Sequence, residues 1–102
     1  MKNLICSAIK EKKLLRFLYD DGLRIVEPHC YGESTAGNDI LRAYQVRGIS
    51  TSGNPTGWRI FDTSKIVGVT VLDDTFDKTR RGYNPHDLAM TLIYCRLPKS
   101  LI

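Results

Sequence analysis

The sequence predicts a small, mainly β protein built as a barrel of about five strands, with a short N-terminal helix and a C-terminal helix or strand. Short runs rich in β-branched and aromatic residues recur along the chain, and turn-forming Gly, Asn, Asp and Pro residues separate them. The chain has 102 residues, of which 42% are hydrophobic and 25% are charged. A single domain with a true hydrophobic core is therefore expected without metals or disulfides.

The first predicted element is a short amphipathic helix. In "LICSAIKEKK" (4 to 13) the apolar residues share one side at helical spacing, and lysines follow toward the C-terminal end, where they complement the helix dipole. The apolar residues are Leu4, Ile5, Ala8 and Ile9.

The stretch "LLRFLYDDGLRIVEP" (14 to 28) predicts a β-hairpin, because Asp21-Gly22 suits a two-residue turn. That turn would place Arg16 opposite Glu27 as a cross-strand ion pair. One face of the hairpin would then carry four side chains, namely Phe17, Tyr19, Arg24 and Val26.

Three further strands complete the predicted sheet. Residues 29 to 39 have loop character, with Gly32, Gly37 and Asn38, and "ILRAYQVRG" (40 to 48) follows as the third strand. Residues 58 to 62 and 66 to 72 form the fourth and fifth strands after a turn-rich segment at 49 to 57. Five strands at this spacing are typical of small barrels of the SH3 or Sm type.

Residues 77 to 102 are predicted to extend the core barrel, which spans about residues 4 to 76. Asn84 as N-cap, Pro85 at the first helical position and Asp87 in the first turn predict a helix with Leu88 and Leu92 on its apolar side. A strand over residues 88 to 97 is the alternative. Residues 1 to 102 are expected to form one domain, because neither a linker nor an internal repeat divides them.

Charge, hydropathy and cysteine usage limit the classes of function. Fifteen Lys and Arg against eleven Asp and Glu give a net charge of +4, which suits a phosphate-bearing partner. No apolar run approaches the roughly 18 residues of a membrane span and no secretory signal is evident, so we expect a cytoplasmic protein away from membranes. Cys6, Cys30 and Cys95 lack CxxC spacing, so we expect small core residues rather than disulfides or zinc ligands.

The sequence contains no HExxH, P-loop or GxSxG motif. His29 and His86 invite an enzymatic interpretation, and His29 could act as the base for a nucleophilic Cys6 or Cys95. The sequence indicates neither spatial adjacency nor an orienting third group for such a pair. We therefore expect a protein that is not an enzyme and holds no metal or cofactor.

An arginine accompanies an aromatic side chain on three predicted strands. Guanidinium groups bind phosphate oxygens in pairs and aromatic rings stack on bases, so this recurrence predicts a phosphate or nucleobase ligand. The alternative is that the arginines cover the aromatic rings with their methylene stems and keep their heads in water. The pairs are Arg24 with Tyr19, Arg42 with Tyr44, and Arg59 with Phe61.

A basic cluster of Lys78, Arg80 and Arg81 follows the predicted barrel. It is either part of a solvated loop or a clamp that contacts phosphates beside the ligand face. A clamp would give binding a strong salt dependence.

Three segments resemble, in order and spacing, the WYL domain family of bacterial and phage regulators. They are "AIKEKKLLRFLYDDGLRIVEPHCYG", "LRAYQVRG" and "WRIFDTSKIVGV", and together they cover roughly residues 4 to 76. The most specific parts are "RIVEP" (24 to 28), "RIF" (59 to 61) and "SKI" (64 to 66).

The resemblance implies an SH3- or Sm-like barrel that senses a ligand, often discussed as a nucleotide or nucleic acid. Matched by motif, Arg24, the Glu27-Pro28 pair, Tyr44 and Arg59 stand at positions that the family keeps, and the resemblance implies ligand contacts for Arg24, Tyr44 and Arg59. Lys65 stands where arginine is usual and offers a point charge instead of a planar fork. The tripeptide that names the family is replaced by Asp39-Ile40-Leu41.

Family members usually carry a helix-turn-helix before the barrel, whereas here one short helix precedes it. We therefore expect a non-catalytic module that binds a nucleotide or single-stranded nucleic acid, and that works with a regulatory partner supplying a DNA-binding domain, in transcription regulation or phage defence. The alternative is an interaction module that uses the barrel face or an exposed strand edge for homo-oligomerisation or docking.

Overall fold

The computed structural model describes residues 1–20, 22–49 and 53–99. These residues form one α-helix and six antiparallel strands in a single sheet, which confirms a mainly β fold with one strand more than expected. The elements are α1 (Lys2–Glu11), β1 (Lys13–Tyr19), β2 (Gly22–Ser34), β3 (Asp39–Gly48), β4 (Gly57–Asp62), a 3-10 turn (Thr63–Lys65), β5 (Val67–Thr75) and β6 (Met90–Arg96).

The long strand β2 organises the sheet, whose order is β4-β3-β2-β1-β5. β1 pairs with the first part of β2, from Gly22 to Val26, and β6 pairs with the second part, from Cys30 to Ser34. β3 pairs with β2 along most of its length, on the opposite edge. Within the described residues no pairing joins β4 to β5, so the sheet is open.

The predicted N-terminal helix is confirmed as α1. Ile5, Ala8 and Ile9 are buried in the main hydrophobic cluster, as their spacing indicated. The helix ends at Lys12, whose left-handed backbone (φ 54°) lets its N–H donate to the carbonyls of the last turn. α1 has ten residues, and no helix in the described ranges is long and apolar enough to cross a membrane.

The predicted hairpin is present, but its turn lies one residue earlier than expected. Tyr19 pairs with Gly22, so Gly22 belongs to β2 instead of the turn, and Asp20 takes a turn position. Asp20 takes a positive φ of 52°, which aspartate tolerates better than most residues. Asp21 itself lies outside the described residues.

The new register keeps the predicted faces but removes the predicted ion pair. Each residue of β1 moves by two positions along β2, and a shift of two leaves every side chain on its face. Arg16 lies opposite Ile25 instead of Glu27, so the Arg16–Glu27 pair is wrong. Glu27 binds Arg80 instead.

Residues 29 to 34 were expected in a loop, but they continue β2 and pair with β6. Gly32 does not form a turn, and its lack of a side chain lets β2 and β6 approach each other closely. A Cβ at this position would lie 2.2 Å from the carbonyl oxygen of Leu92. A strand glycine of this kind looks like a loop signal in the sequence.

The helix predicted after Asn84 is wrong, and the alternative strand is confirmed as β6. The residues that suggested a helix cap instead close two short turns. Asn84 Oδ1 accepts the N–H of His86 at 2.9 Å, and Asp87 Oδ1 accepts the N–H of Ala89 at 3.0 Å. Asparagine and aspartate make this bond in isolated turns as well as at helix starts.

The expectation of three unpaired cysteines is wrong for two of them. Cys6 of α1 and Cys95 of β6 form a disulfide between Cα atoms 5.7 Å apart, across a separation of 89 residues. Spacing motifs such as CxxC report only local pairs, so this partnership was invisible in the sequence. Cys30 is buried and unpaired, as expected, and burial raises the pKa of its thiol to about 11.

Candidate ligand-binding faces

The sheet divides the predicted site residues between two opposite faces. In the β3–β4 pairing, Ala43 lies opposite Arg59, and the next pair is Tyr44 opposite Trp58. Successive residues of a strand point to opposite faces. We call the face of Arg59 and Phe61 the inner face, and the face of Tyr44 and Trp58 the outer face.

Arg24 lies on the inner face and is only 4% exposed. Its guanidinium carbon is 5.6 Å from the ring centroid of Tyr19 and 5.9 Å from that of Phe61. Nη1 donates to Gln45 Oε1 at 3.2 Å and Nη2 donates to the Tyr19 carbonyl at 3.4 Å. Nε is buried and has no hydrogen-bond partner in the described part of the chain.

Gln45 is a site residue that the sequence analysis did not single out. It is fully buried and connects Arg24 to the segment before β4, because its Nε2 donates to the carbonyls of Ile49 and Pro55 at 3.3 and 3.0 Å. The sequence feature that could have revealed it is its position. Gln45 is a polar residue two positions after Ala43 and four after Leu41, so it shares their inward-facing side of β3. A buried amide of this kind must find partners, and here they are an arginine and the loop.

Arg59 lies against the same loop. Its Nη1 donates to the Trp58 carbonyl at 3.0 Å, and its Nη2 donates to the carbonyl of Asn54. The loop of residues 53 to 56, which we call the β4 loop, is thus held by Gln45 and Arg59 from the inner face. The structure therefore brings the predicted Arg24 and Arg59 to one face, with Gln45 bonded to Arg24 and to the β4 loop.

Neither inner-face arginine is neutralised by a carboxylate among the described residues. Desolvating a charge is costly unless an opposite charge or a full set of hydrogen bonds compensates it. An anion placed here would compensate the charge of Arg24. The ion pairs that the described residues form are Glu11–Lys13, Arg42–Asp87 and Glu27–Arg80.

Arg42 lies on the outer face and is engaged in a bidentate ion pair with Asp87. Its Nε and Nη2 donate to the two carboxylate oxygens at 2.8 and 3.2 Å. Burial favours the neutral acid, but the bonds from Arg42 and from the Ala89 N–H outweigh it and hold the pKa of Asp87 below its ordinary value. Arg42 therefore does not join Arg24 and Arg59, and its charge is already compensated.

The basic cluster after β5 is divided in the same way. Arg80 donates to both oxygens of Glu27 at 2.7 and 3.0 Å, and its guanidinium lies 4.5 Å from the ring centroid of Tyr44. Tyr44 is thus covered by an arginine of the protein itself. Lys78 and Arg81 are exposed and remain candidates for contact with phosphate.

Lys65 lies apart from this cluster. It is exposed in the 3-10 turn that follows β4, within electrostatic reach of Asp62. Its placement supports a surface charge more than a contact at the buried end of the inner face.

His29 is fully buried on the outer face, enclosed by aromatic rings. The backbone N–H of Arg80 donates to Nε2 at 3.1 Å, so the proton lies on Nδ1, which donates to the Glu27 carbonyl at 2.8 Å. Burial lowers the pKa of His29, and the bond to Glu27 only partly offsets it. The surrounding rings, with centroids 4.8 to 5.4 Å away, are Trp58, Phe76 and Tyr83.

The arrangement gives His29 a structural role. Both ring nitrogens are bonded to backbone groups, so neither is directed at a substrate. Cys6 and Cys95, the cysteines that could have partnered a histidine, are joined to each other.

Comparisons with known proteins give no relative for this chain: no protein-family model matches it, and neither the curated proteins nor the solved structures contain a match. The resemblance to WYL domains accordingly stays a prediction from the sequence segments.

Proposed function

We propose that the protein is a non-catalytic regulatory module that binds a phosphate-bearing ligand, either a nucleotide or single-stranded nucleic acid, on its inner face. The observation that carries this proposal is the state of Arg24. Its guanidinium is buried, faces no carboxylate within the described chain, and leaves Nε without a partner. A phosphate oxygen would complete both its charge balance and its hydrogen bonding.

Arg59 gives this site a means of reporting occupancy. Its guanidinium donates to carbonyls of Trp58 and Asn54, which are weaker acceptors than a phosphate oxygen. A phosphate bound by Arg24 would compete for Arg59 and release its bonds to the β4 loop. The conformation of the β4 loop would then differ between the empty and the occupied protein, which is what a sensor requires.

The resemblance to WYL domains supports the same function. We propose that the open, six-stranded sheet is a variant of the SH3- or Sm-like barrel of that family, and that a partner protein supplies the DNA-binding output. We propose a cytoplasmic location from the sequence alone, whereas the Cys6–Cys95 disulfide is of a kind that persists in oxidising compartments.

Thermal unfolding at low salt tests the proposal, with a panel of nucleotides and single-stranded oligonucleotides. At a ligand concentration of about ten times Kd, stabilisation by about 1.4 kcal/mol should raise Tm by roughly 5 to 10 °C. Arg59→Ala should remove the extra shift that a nucleotide gives over its nucleoside, because that part depends on the phosphate. Arg47→Ala, at an exposed arginine of β3, should keep it.

Two results would contradict the proposal. One is the absence of any shift across the panel, and the other is an extra shift for a nucleotide over its nucleoside that Arg59→Ala leaves unchanged. Raising the salt concentration should weaken binding, because phosphate contacts release counterions.

A second candidate function, self-association, is supported by a separate observation. Leu18 lies directly opposite Leu23 on β2 and opposite Val67 on β5, in one row across three strands. The three side chains are 45%, 41% and 61% exposed. Apolar side chains that are contiguous and exposed often mark an interaction surface. We call these three residues the apolar row.

A further inference from the structure

The outer face contains a cleft of about 340 Å³ between β3, β4 and the segment before β6. A volume near this size is at the lower end of the range for small-ligand sites. The cleft combines an aromatic wall, an ion pair, an amide side chain and an exposed leucine. Its lining residues are Arg42, Trp58, Gly82, Tyr83, Asn84, Asp87 and Leu88.

The aromatic wall of this cleft is fixed in place. The indole N–H of Trp58 donates to the Arg81 carbonyl at 2.8 Å, and its ring stacks on Tyr83 with centroids 6.1 Å apart. Tyr83 is anchored in turn, because its hydroxyl donates to the Leu97 carbonyl at 2.6 Å. A Cβ at Gly82 would come within 3.3 Å of the indole nitrogen, so glycine permits the close approach. Because these contacts already hold Trp58 and Tyr83 in place, ligand binding would cost little conformational entropy of these side chains.

Two hydrogen-bond donors of the cleft remain unused among the described residues. Arg42 donates to Asp87 through Nε and Nη2, which leaves Nη1. Asn84 uses its Oδ1 to accept the N–H of His86, which leaves its Nδ2 group. Both side chains line the cleft, so a ligand with acceptor atoms would meet two donors.

Charge and exposure define the ligand further. Asp87 compensates Arg42, so the cleft offers donors without a net charge and does not favour a bare anion. Leu88 is 90% exposed at the cleft, and a flat ligand packed against it would remove apolar surface from water. These features favour an uncharged planar ring over a phosphate.

We propose that this cleft binds a planar heteroaromatic ring with hydrogen-bond acceptors, of the nucleobase class. The ring packs against Trp58 and Leu88, and its acceptor atoms receive hydrogen bonds from Arg42 Nη1 and Asn84 Nδ2. Aromatic side chains hold bases by stacking in this way. The site is separate from the inner face, because Trp58 and Arg59 are consecutive residues that point to opposite sides of β4.

Trp58 is the single tryptophan of the chain, so its fluorescence reports directly on the cleft. We expect saturable quenching by adenine and by adenosine, and none by ribose 5-phosphate. Similar affinity for adenine, adenosine and adenosine monophosphate would show that the ring alone is recognised. A much higher affinity for the monophosphate would overturn that assignment and place the phosphate in the site.

Variants locate the binding site. Asn84→Ala and Leu88→Asp should each raise the dissociation constant at least tenfold. Both positions are exposed, so folding should survive, and thermal unfolding checks that it does. Leu92→Asp is the matched control, because Leu92 is an exposed leucine that does not line the cleft and should leave binding unchanged.

The proposal is overturned if the purine compounds cause no quenching. It is also overturned if Arg59→Ala abolishes the quenching while Asn84→Ala and Leu88→Asp leave it intact, because the ligand would then lie on the inner face. Arg59→Ala should leave the cleft functional, so failure of the inner-face proposal and failure of this one give different results.

Discussion

Two buried polar residues, Arg24 and His29, differ in how completely the protein satisfies them. His29 has a backbone partner at each ring nitrogen, and three aromatic rings surround it. Arg24 keeps one buried N–H without a partner in the described chain and faces no carboxylate there. A buried polar residue that only stabilises the fold has partners for all its hydrogen-bonding groups. A buried cation with an unpaired N–H indicates that a further partner is missing. This contrast separates a structural residue from a candidate binding residue.

His29 should make the stability of the protein depend on pH. Burial lowers its pKa below the ordinary value of 6.5, so below pH 6.5 the unfolded chain takes up a proton that the folded chain refuses. The contribution of neutral His29 to the free energy of unfolding is therefore complete above pH 6.5. It declines as the pH falls from 6.5 toward the lowered pKa of the folded state.

Urea unfolding across this pH range measures the effect. His29→Phe keeps a ring in the pocket but removes the titration, and should flatten the pH dependence. His86→Ala removes an exposed histidine and should leave it as in the original protein. A free energy of unfolding that declines equally in His29→Phe would assign the pH dependence to other groups.

At the scale of elements, the faces of the strands could be predicted but the pairings of distant segments could not. Alternation correctly placed Phe17 with Arg24 on one face and Arg59 with Phe61 on one face, and it held even where the hairpin register moved by two. The turn chemistry of Asp20-Asp21-Gly22 allowed two adjacent turns, and only packing of the whole sheet selects one. Gly32 is compatible with a loop or with closely packed strands, and Asn84 is compatible with a helix cap or with an isolated turn.

In the candidate site, too, contacts between distant segments could not be predicted from the sequence. Alternation paired Arg24 with Tyr19 and Arg59 with Phe61, and the resemblance implied ligand contacts for both arginines together with Tyr44. That Tyr44 lies on the opposite face was not predicted. The carboxylates that pair with Arg42 and Arg80 are 45 and 53 residues away in the sequence. The sequence therefore contains no indication that the charges of these two arginines are compensated. Gln45 was missed because a single polar residue in a strand does not reveal which groups it bonds.

The disulfide between α1 and β6 should contribute strongly to stability. It joins residues 89 apart, and a cross-link that closes so long a loop restricts the unfolded chain most. Cys6→Ser combined with Cys95→Ser should lower the free energy of unfolding by about 2 to 5 kcal/mol. Urea unfolding with and without a reductant measures this difference.

The double variant is also the control for that experiment, since reductant should not destabilise it further. Thiol titration of the denatured, unreduced protein should find one thiol, that of Cys30. Three titratable thiols under oxidising conditions, with a stability unaffected by reductant, would contradict the disulfide.

At the scale of the whole molecule, the sheet presents three surfaces that differ in chemistry. The inner face offers cationic groups that no described carboxylate compensates, the cleft on the outer face offers aromatic surface with neutral donors, and the apolar row offers exposed aliphatic side chains. We propose a phosphate, a flat ring and a protein surface as the respective partners. Two consecutive residues of β4, Trp58 and Arg59, lie on the first two of these surfaces.

The apolar row should allow two copies of the protein to associate face to face. Beside it runs a second row in which Arg16 lies opposite Ile25, and Ile25 lies opposite Arg47. A two-fold axis along the apolar row stacks it on itself and places the arginines of the two copies on opposite sides, where they do not repel each other. We therefore propose a second copy of the chain as the partner of this surface.

Sedimentation velocity over a range of protein concentrations should show a dimer that forms as the concentration rises. Leu18→Glu puts a charge at the centre of the row, opposite both Leu23 and Val67, and should raise the dimer dissociation constant at least tenfold because burying an unpaired carboxylate is costly. Leu92→Glu places the same charge at an exposed position of β6 and should leave association unchanged. Arg59→Ala should leave it unchanged as well, since Arg59 lies on the inner face. A protein that stays monomeric at every concentration, or a Leu18→Glu variant that dimerises like the original, would show that the row is not a self-association surface.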